Sequence, residues 1–328
     1  MIYYLPLEHL DKRYTKDLDV LFENEFKRQK KQYVKIDGKA LLGEIKVGAF
    51  LDSDSTNYFK FSQLQEVCRL FKNGTIKNGD TFFVSDLWFP GIECIPYMAY
   101  FHNIKVSIKG ILHAGSWTET DYVAGMKEWA EDIEKGWLKF FDTVFVGSDW
   151  IKREMLEKGR ISKFGKVINT GLPFDPADCY VKAKLKPWSK RNNLVLFTGS
   201  LDDEKQPWLF EDLAKRFSSE EVVFLKTMDL DLSKKEYYDM LSGAKVVFSA
   251  ALQENFGYSM LEACAYGVNI VVPDRLAYRE KYPSEFRYKT LDEAEQMIRK
   301  FLKEDHSKEL INIANNQKQN TKKIVSLI

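Results

Sequence analysis

Short apolar runs recur along the chain, each followed by a polar or glycine-bearing turn and then by a segment with apolar residues at helical spacing. Alternation of that kind predicts βα units and a parallel sheet. In the first half the runs are Ile2–Leu5, Val47–Leu51, Thr81–Ser85, Ile104–Leu112 and Asp142–Val146. Between them lie a charged helix over Thr15–Lys31, with Leu18, Leu21, Phe22 and Phe26 as its apolar stripe, a short helix over Leu64–Phe71, and a longer one over Asp121–Phe140. Asp52–Asn57 is small and polar and predicts a loop at a strand end. Ser148 is placed to cap the helix that follows.

A second series begins at Leu194–Thr198 and continues through Val222–Leu225, the helix Ser233–Leu241, Lys245–Ala251 and Val268–Val272, with the amphipathic helix Leu291–Leu302 beyond. Tyr180–Arg191, basic and interrupted by proline, reads as a linker between the two series. The polar stretch His306–Ile328 closes the chain.

The most informative stretch is Glu254–Gly267, ENFGYSMLEACAYG, held between two apolar strands. Strand, loop, helix, strand puts that loop at the carboxyl end of a parallel strand, where open α/β sheets bind ligands. Asn255, Phe256 and Gly257 turn the chain into a helix that Gly267 ends. The start of that helix offers unbonded amides and a positive dipole end, which suits a phosphate. Tyr258, Ser259 and Glu262 share one helix face. Glu254 and Glu262 place a carboxylate on either side, and carboxylates accept well from sugar hydroxyls.

This segment resembles the E-x7-E motif of retaining GT-B glycosyltransferases of the family 4 type. The resemblance implies an α/β chain of two Rossmann-like domains facing a cleft: residues 1–170 for the acceptor, 171–305 for a sugar nucleotide, and 306–328 returning to the first domain. It implies that Glu254 contacts the donor sugar, Glu262 holds the ribose hydroxyls, and the amides from Asn255 and Phe256 to Ser259 hold the diphosphate. Gly199–Pro207, GSLDDEKQP, is similar to the family's G-R-L-x-x-E-K-G loop, so Lys205 falls on the phosphate-binding lysine. Ser200 stands where the family has arginine. Lys226 and Arg275 are the cations offered in its place, Arg275 being equally readable as a surface salt-bridge residue. Val167–Phe174 is similar to the family's hinge. His113, at the end of a strand, falls where family members place a histidine beside the sugar. Trp88, Trp117 and Tyr122 are equally readable as stacking surfaces near it or as core.

The implied activity is retaining transfer from a UDP- or GDP-sugar donor, with no cofactor and no metal. Pro273–Pro283 fits P-x-x-L-x-Y-x-E-x-Y-P, a pattern of the queuosine mannosyltransferase branch. Together with the basic run Lys27–Lys31, it suggests a modified base in DNA or RNA as acceptor. That run reads equally as a solvated helix end. A cell-surface glycan or lipid-linked acceptor is the alternative, and a non-catalytic sugar-nucleotide binder or an epimerase stands as the reading from another class.

The totals narrow this further. A net charge of +1 excludes a strongly basic nucleic-acid binder overall, though not a local patch. Cys68, Cys94, Cys179 and Cys264 are scattered, which predicts reduced, buried thiols in a cytoplasmic protein. No apolar run approaches the roughly 20 residues a membrane span requires. Two D-x-D triplets, at Asp52–Asp54 and Asp229–Asp231, match a metal signature too short to carry weight.

Overall fold

The computed structural model describes residues 1–9, 15–41, 53–116, 118, 122–159 and 166–328. Its chain divides into two compact units, Met1–Leu172 with Asn320–Ile328, and Pro173–Gln319. The strands of the first unit are β1 (Ile2–Leu5), β2 (Tyr33–Lys35), β3 (Thr81–Val84), β4 (Ser107–Ile111), β5 (Thr143–Val146) and β6 (Val167–Asn169). Those of the second are β7 (Leu194–Phe197), β8 (Val223–Lys226), β9 (Val246–Phe248), β10 (Asn269–Pro273) and β11 (Arg287–Tyr288). The helices are α1 (Thr15–Arg28), α2 (Ser53–Lys72), α3 (Cys94–Phe101), α4 (Lys127–Leu138), α5 (Asp149–Glu157), α6 (Pro176–Lys182), α7 (Pro207–Arg216), α8 (Lys234–Gly243), α9 (Tyr258–Ala265), α10 (Tyr278–Lys281), α11 (Leu291–Phe301), α12 (Ser307–Asn316) and α13 (Gln319–Leu327).

Among the described residues each unit has one parallel sheet, in the order β2-β1-β3-β4-β5-β6 and β11-β10-β9-β7-β8. Parallel sheets are covered on both faces, which is why β1, β7, β9 and β10 are buried at every position and apolar at every position but Asn269. In the first unit the two sheet faces carry different cores. Tyr4, Phe22, Phe26 and Phe83 pack as rings on one side, with Tyr4 and Phe83 stacked at 5.6 Å. Tyr3, Phe82 and Phe71 stack on the other. The amide of Asn320 in α13 donates to Leu172 O at 2.9 Å, and Lys109 Nζ donates to Leu327 O at 2.5 Å, so the chain terminus packs within the first unit.

Several local expectations are corrected. The loop expected up to Asn57 is helix from Ser53 onward, so α2 is 20 residues long instead of the short Leu64–Phe71 segment. Small polar residues with Asp54 suit a first helical turn as well as a loop, because both leave backbone amides to satisfy. The strand expected at Val47–Leu51 lies outside the described residues, as does Trp117. The expected helix Asp121–Phe140 opens instead as a 3₁₀ turn over Tyr122–Met126, and α4 follows it. Cys179 and Cys264 are buried, but Cys68 and Cys94 are exposed; all four are free thiols. Residues Tyr180–Arg191 are not a bare linker. α6 occupies the start, Trp188–Lys190 form a 3₁₀ turn, and Arg191 is buried. No helix among the described residues is long and apolar enough to cross a membrane.

Candidate functional site

The loop leaving β9 is tied down along its length. Ser249 N donates to Val271 O at 2.9 Å, and Ser249 O accepts from the Tyr288 hydroxyl at 3.0 Å. Leu252 N donates to Glu204 O at 2.7 Å, which joins this loop to the one leaving β7. The turn then closes on itself. Glu254 Oε1 accepts from Phe256 N at 3.2 Å and from Gly257 N at 2.7 Å. Gly257 caps α9 in the left-handed region, at φ 82° and ψ 54°.

That geometry requires glycine. A Cβ at 257 would lie 3.3 Å from a ring carbon of Tyr278 and take on left-handed strain. Gly257→Ala is expected to cost about 1–2 kcal/mol, read as a lower midpoint in chemical denaturation.

Two of the amides expected to face a phosphate, those of Phe256 and Gly257, are thus bonded to Glu254. The amides of Ser259 and Met260, in the first turn of α9, lie where no carbonyl within a helix can reach. Glu262 sits one turn further on. Its Oε2 accepts from Tyr237 at 2.9 Å and its Oε1 from Tyr238 at 2.6 Å. Burial raises the pKa of Glu262, with the two tyrosine hydroxyls, Lys182 and Lys234 opposing. At its far end α9 meets Arg191, whose Nη1 and Nη2 donate to Gly267 O and Tyr266 O, both at 2.5 Å. A cation there complements the negative end of the helix dipole.

Three cationic side chains reach carbonyls of this one loop. Arg275 Nη2 donates to Ala250 O at 2.9 Å, Lys205 Nζ to Gln253 O at 2.8 Å, and Lys281 Nζ to Phe256 O. Lys205 also pairs with Glu204 at 3.2 Å. Burial raises the pKa of Glu204, Lys205 lowers it, and Glu254 adds to the rise. Gly199 and Ser200 lie half-exposed in the loop after β7; a Cβ on Gly199 would stand 3.5 Å from Lys205 Cγ. Lys226 instead pairs with Glu211 at 2.6 Å and Asp229 at 3.4 Å. Lys281 carried no signal in the sequence, since its partner is 25 residues away.

The carboxyl ends of β3 and β4, in the first unit, hold a separate polar cluster. Buried Lys60 and Asp86 pair at 2.8 Å, and Lys60 also donates to Trp88 O. Glu134, fully buried, accepts from Trp88 Nε1 at 2.9 Å, Ser116 N at 2.8 Å and Ser116 Oγ at 2.5 Å. Trp88 is therefore packed into this network, edge-on to Trp137, and presents no stacking surface. His113 is buried, with Nε2 2.8 Å from Ser85 O. Burial lowers its pKa, and the neighbouring Lys60 acts in the same direction while Asp86 and the Ser85 bond oppose. The basic run at the end of α1 is partly neutralised by its own helix: Arg28 pairs with Glu25 at 2.5 Å and Lys27 with Glu23 at 3.8 Å. Among the described residues one set, Glu285, His306 and Glu309, has ligand atoms within 4.8 Å of one another, and it belongs to neither cluster.

No family model matches the chain. The sucrose-phosphate synthase of Thermosynechococcus elongatus superposes with a TM-score of 0.61 at 13% identity, over 98% of this chain and 94% of that one. Both are built from two parallel sheets flanked by helices. This chain has the GT-B fold. HepE of Anabaena, solved with UDP and glucose, superposes with a TM-score of 0.58 at 10% identity, over 99% and 98% of the two chains. Among curated proteins, the tRNA-queuosine alpha-mannosyltransferase of Drosophila melanogaster is 36% identical over 84 residues, which is 26% of this chain. The aligned stretch spans about a fifth of that relative's length, 21%.

Proposed function

We propose that the second unit binds a nucleoside-diphosphate sugar and that the protein transfers the sugar to an acceptor hydroxyl with retention at the anomeric carbon. The observation that carries this is the loop from Ser249 to Gly257. It joins a glutamate-closed turn to a helix start and draws three cations, at the carboxyl edge of a GT-B sheet. The UDP and glucose in the HepE structure support a donor of that class.

In this reading Lys205 and the first-turn amides of α9 meet the diphosphate. Glu254 holds the turn through Oε1 and offers Oε2 to a sugar hydroxyl, and Glu262 takes the ribose hydroxyls. The bond from the anomeric carbon to the phosphate oxygen breaks as the bond to the acceptor oxygen forms on the same face. The acceptor proton passes to the departing phosphate. Positive charge around that phosphate stabilises the leaving group as its charge develops. His113 stays in the proposal only by its family resemblance, as a residue of the first unit. The scheme uses no metal ion.

For the acceptor we infer a hydroxyl on a modified nucleic-acid base. The Pro273–Pro283 pattern and the partial match to the tRNA-queuosine enzyme support it. A thermal-shift panel of UDP-, GDP- and ADP-sugars tests the donor. A matching donor at about 100 times its Kd is expected to raise the Tm by about 5 °C or more. No shift with any of them overturns the reading. Labelled donor offered to tRNA, hydroxymethylated DNA and lipid-linked glycan then tests the acceptor; label on the glycan alone defeats the nucleic-acid inference. Binding without transfer or hydrolysis leaves a sugar-nucleotide binder.

A further inference from the structure

Arg275 and Arg279 lie four residues apart on the segment after β10, and Arg287 begins β11, yet the three meet different environments. Asp274 is claimed by two of them, Arg279 at 3.2 Å and Arg287 at 2.6 Å. Arg275 has no carboxylate within ion-pair range among the described residues. Its Nη2 bonds only neutral oxygens, Ala250 O at 2.9 Å and Gln206 Oε1 at 3.2 Å, while its Nε is buried with no hydrogen-bond partner. Leu276, the next residue, is held in the left-handed region at φ 57°, a conformation that a leucine adopts only under constraint. The guanidinium therefore bridges the loops that leave two adjacent strands, β7 and β9, at their carboxyl ends.

Lys281, six residues on, is similar. Its ammonium lies 3.2 Å from the centre of the Phe256 ring and donates to Phe256 O, again with no carboxylate in ion-pair range. Burial drives its pKa well down, with Glu254 and Glu280 opposing. Two half-buried cations beside one loop, neither ion-paired among the described residues, make a positive site that Glu254 offsets only in part. An isolated charge of this kind is costly to bury unless an anion completes it.

We propose that Arg275 and Lys281 are the cations that receive the donor's diphosphate, supplying the positive charge that Ser200 does not. The proposal rests on the donor reading above and extends it to residues outside the Gly199–Pro207 loop. A guanidinium suits the task because its planar fork can engage two phosphate oxygens at once.

Calorimetric binding of UDP, UMP and uridine to the full chain tests it, with GDP and ADP series run if UDP is not the ligand. Arg275→Ala is expected to weaken diphosphate binding about 10- to 100-fold and to leave the nucleoside within about twofold, so the preference for phosphate collapses. Lys281→Met keeps most of the buried stem and removes the charge. It should shift the same preference in the same direction while holding or raising the Tm, a combination that loss of a merely structural lysine would not give. Arg279→Gln, exposed and already paired with Asp274, should match the unaltered protein. Arg275→Ala and Lys281→Met proteins that fold and retain the full phosphate preference overturn the proposal. An unaltered protein that binds none of the nucleotides overturns the donor reading itself, and this inference with it.

Discussion

Glu254→Ala is expected to abolish most donor-dependent turnover, by about 10²–10³-fold in kcat/KM, the scale on which loss of one preorganised polar contact acts at a reacting centre. The reason is local. One carboxylate oxygen holds two successive amides, at 3.2 and 2.7 Å, and so sets the left-handed turn that starts α9. Without it both amides lose their partner, and Gly257 is the residue best able to relax into another conformation. Glu254→Gln separates two roles, because the side-chain amide keeps an acceptor oxygen for the turn but removes the charge. It should retain most of the alanine variant's lost stability, about 1–3 kcal/mol. Equal kcat/KM for Glu254→Ala and the unaltered protein would remove Glu254 from the site.

The largest effect on stability is expected in the first unit. Asp86→Ala leaves Lys60 buried without its counter-ion and should cost about 3–5 kcal/mol. Replacing the pair together, as Lys60→Met with Asp86→Leu, should cost far less, because two desolvation penalties disappear with the attraction. Urea denaturation followed by circular dichroism and tryptophan fluorescence reads this, and Trp88, bonded to Lys60, Asp86 and Glu134 and packed on Trp137, is one of the reporting rings. A single substitution as mild as the double one would mean that water reaches Lys60 and that the network is not closed.

Which features could be read in the sequence follows from the distance over which each is decided. The β9–α9 unit was legible because its strand, turn and helix signals lie within a few residues: an apolar run, Asn-Phe-Gly, then small residues ending at Gly267. The bonds that the Phe256 and Gly257 amides donate to Glu254 are just as local, yet the sequence left those amides to a phosphate, because a carboxylate ahead of a helix start reads as a ligand for sugar as readily as a brace for the turn. The Lys60–Asp86 pair, the Trp88–Glu134 contact and the Lys281–Phe256 contact join residues 26, 46 and 25 positions apart. Nothing local announces them. Composition misled at Ser53–Asn57 because turns and helix starts draw on the same small polar residues. It misled at Cys68 and Cys94 because a cysteine's own chemistry does not say which face of a helix it occupies.

The fork that Arg191 places on Tyr266 and Gly267 has a practical reach. By sequence alone the proline-interrupted stretch ahead of Leu194 looks like inert spacer and so like a place to join a chimera. A junction placed there would replace the residue anchoring the rear of α9, and, on the proposed donor reading, the fault would surface at the opposite end, as poorer nucleotide capture. Splicing upstream of Pro173 keeps that anchor with the helix it steadies.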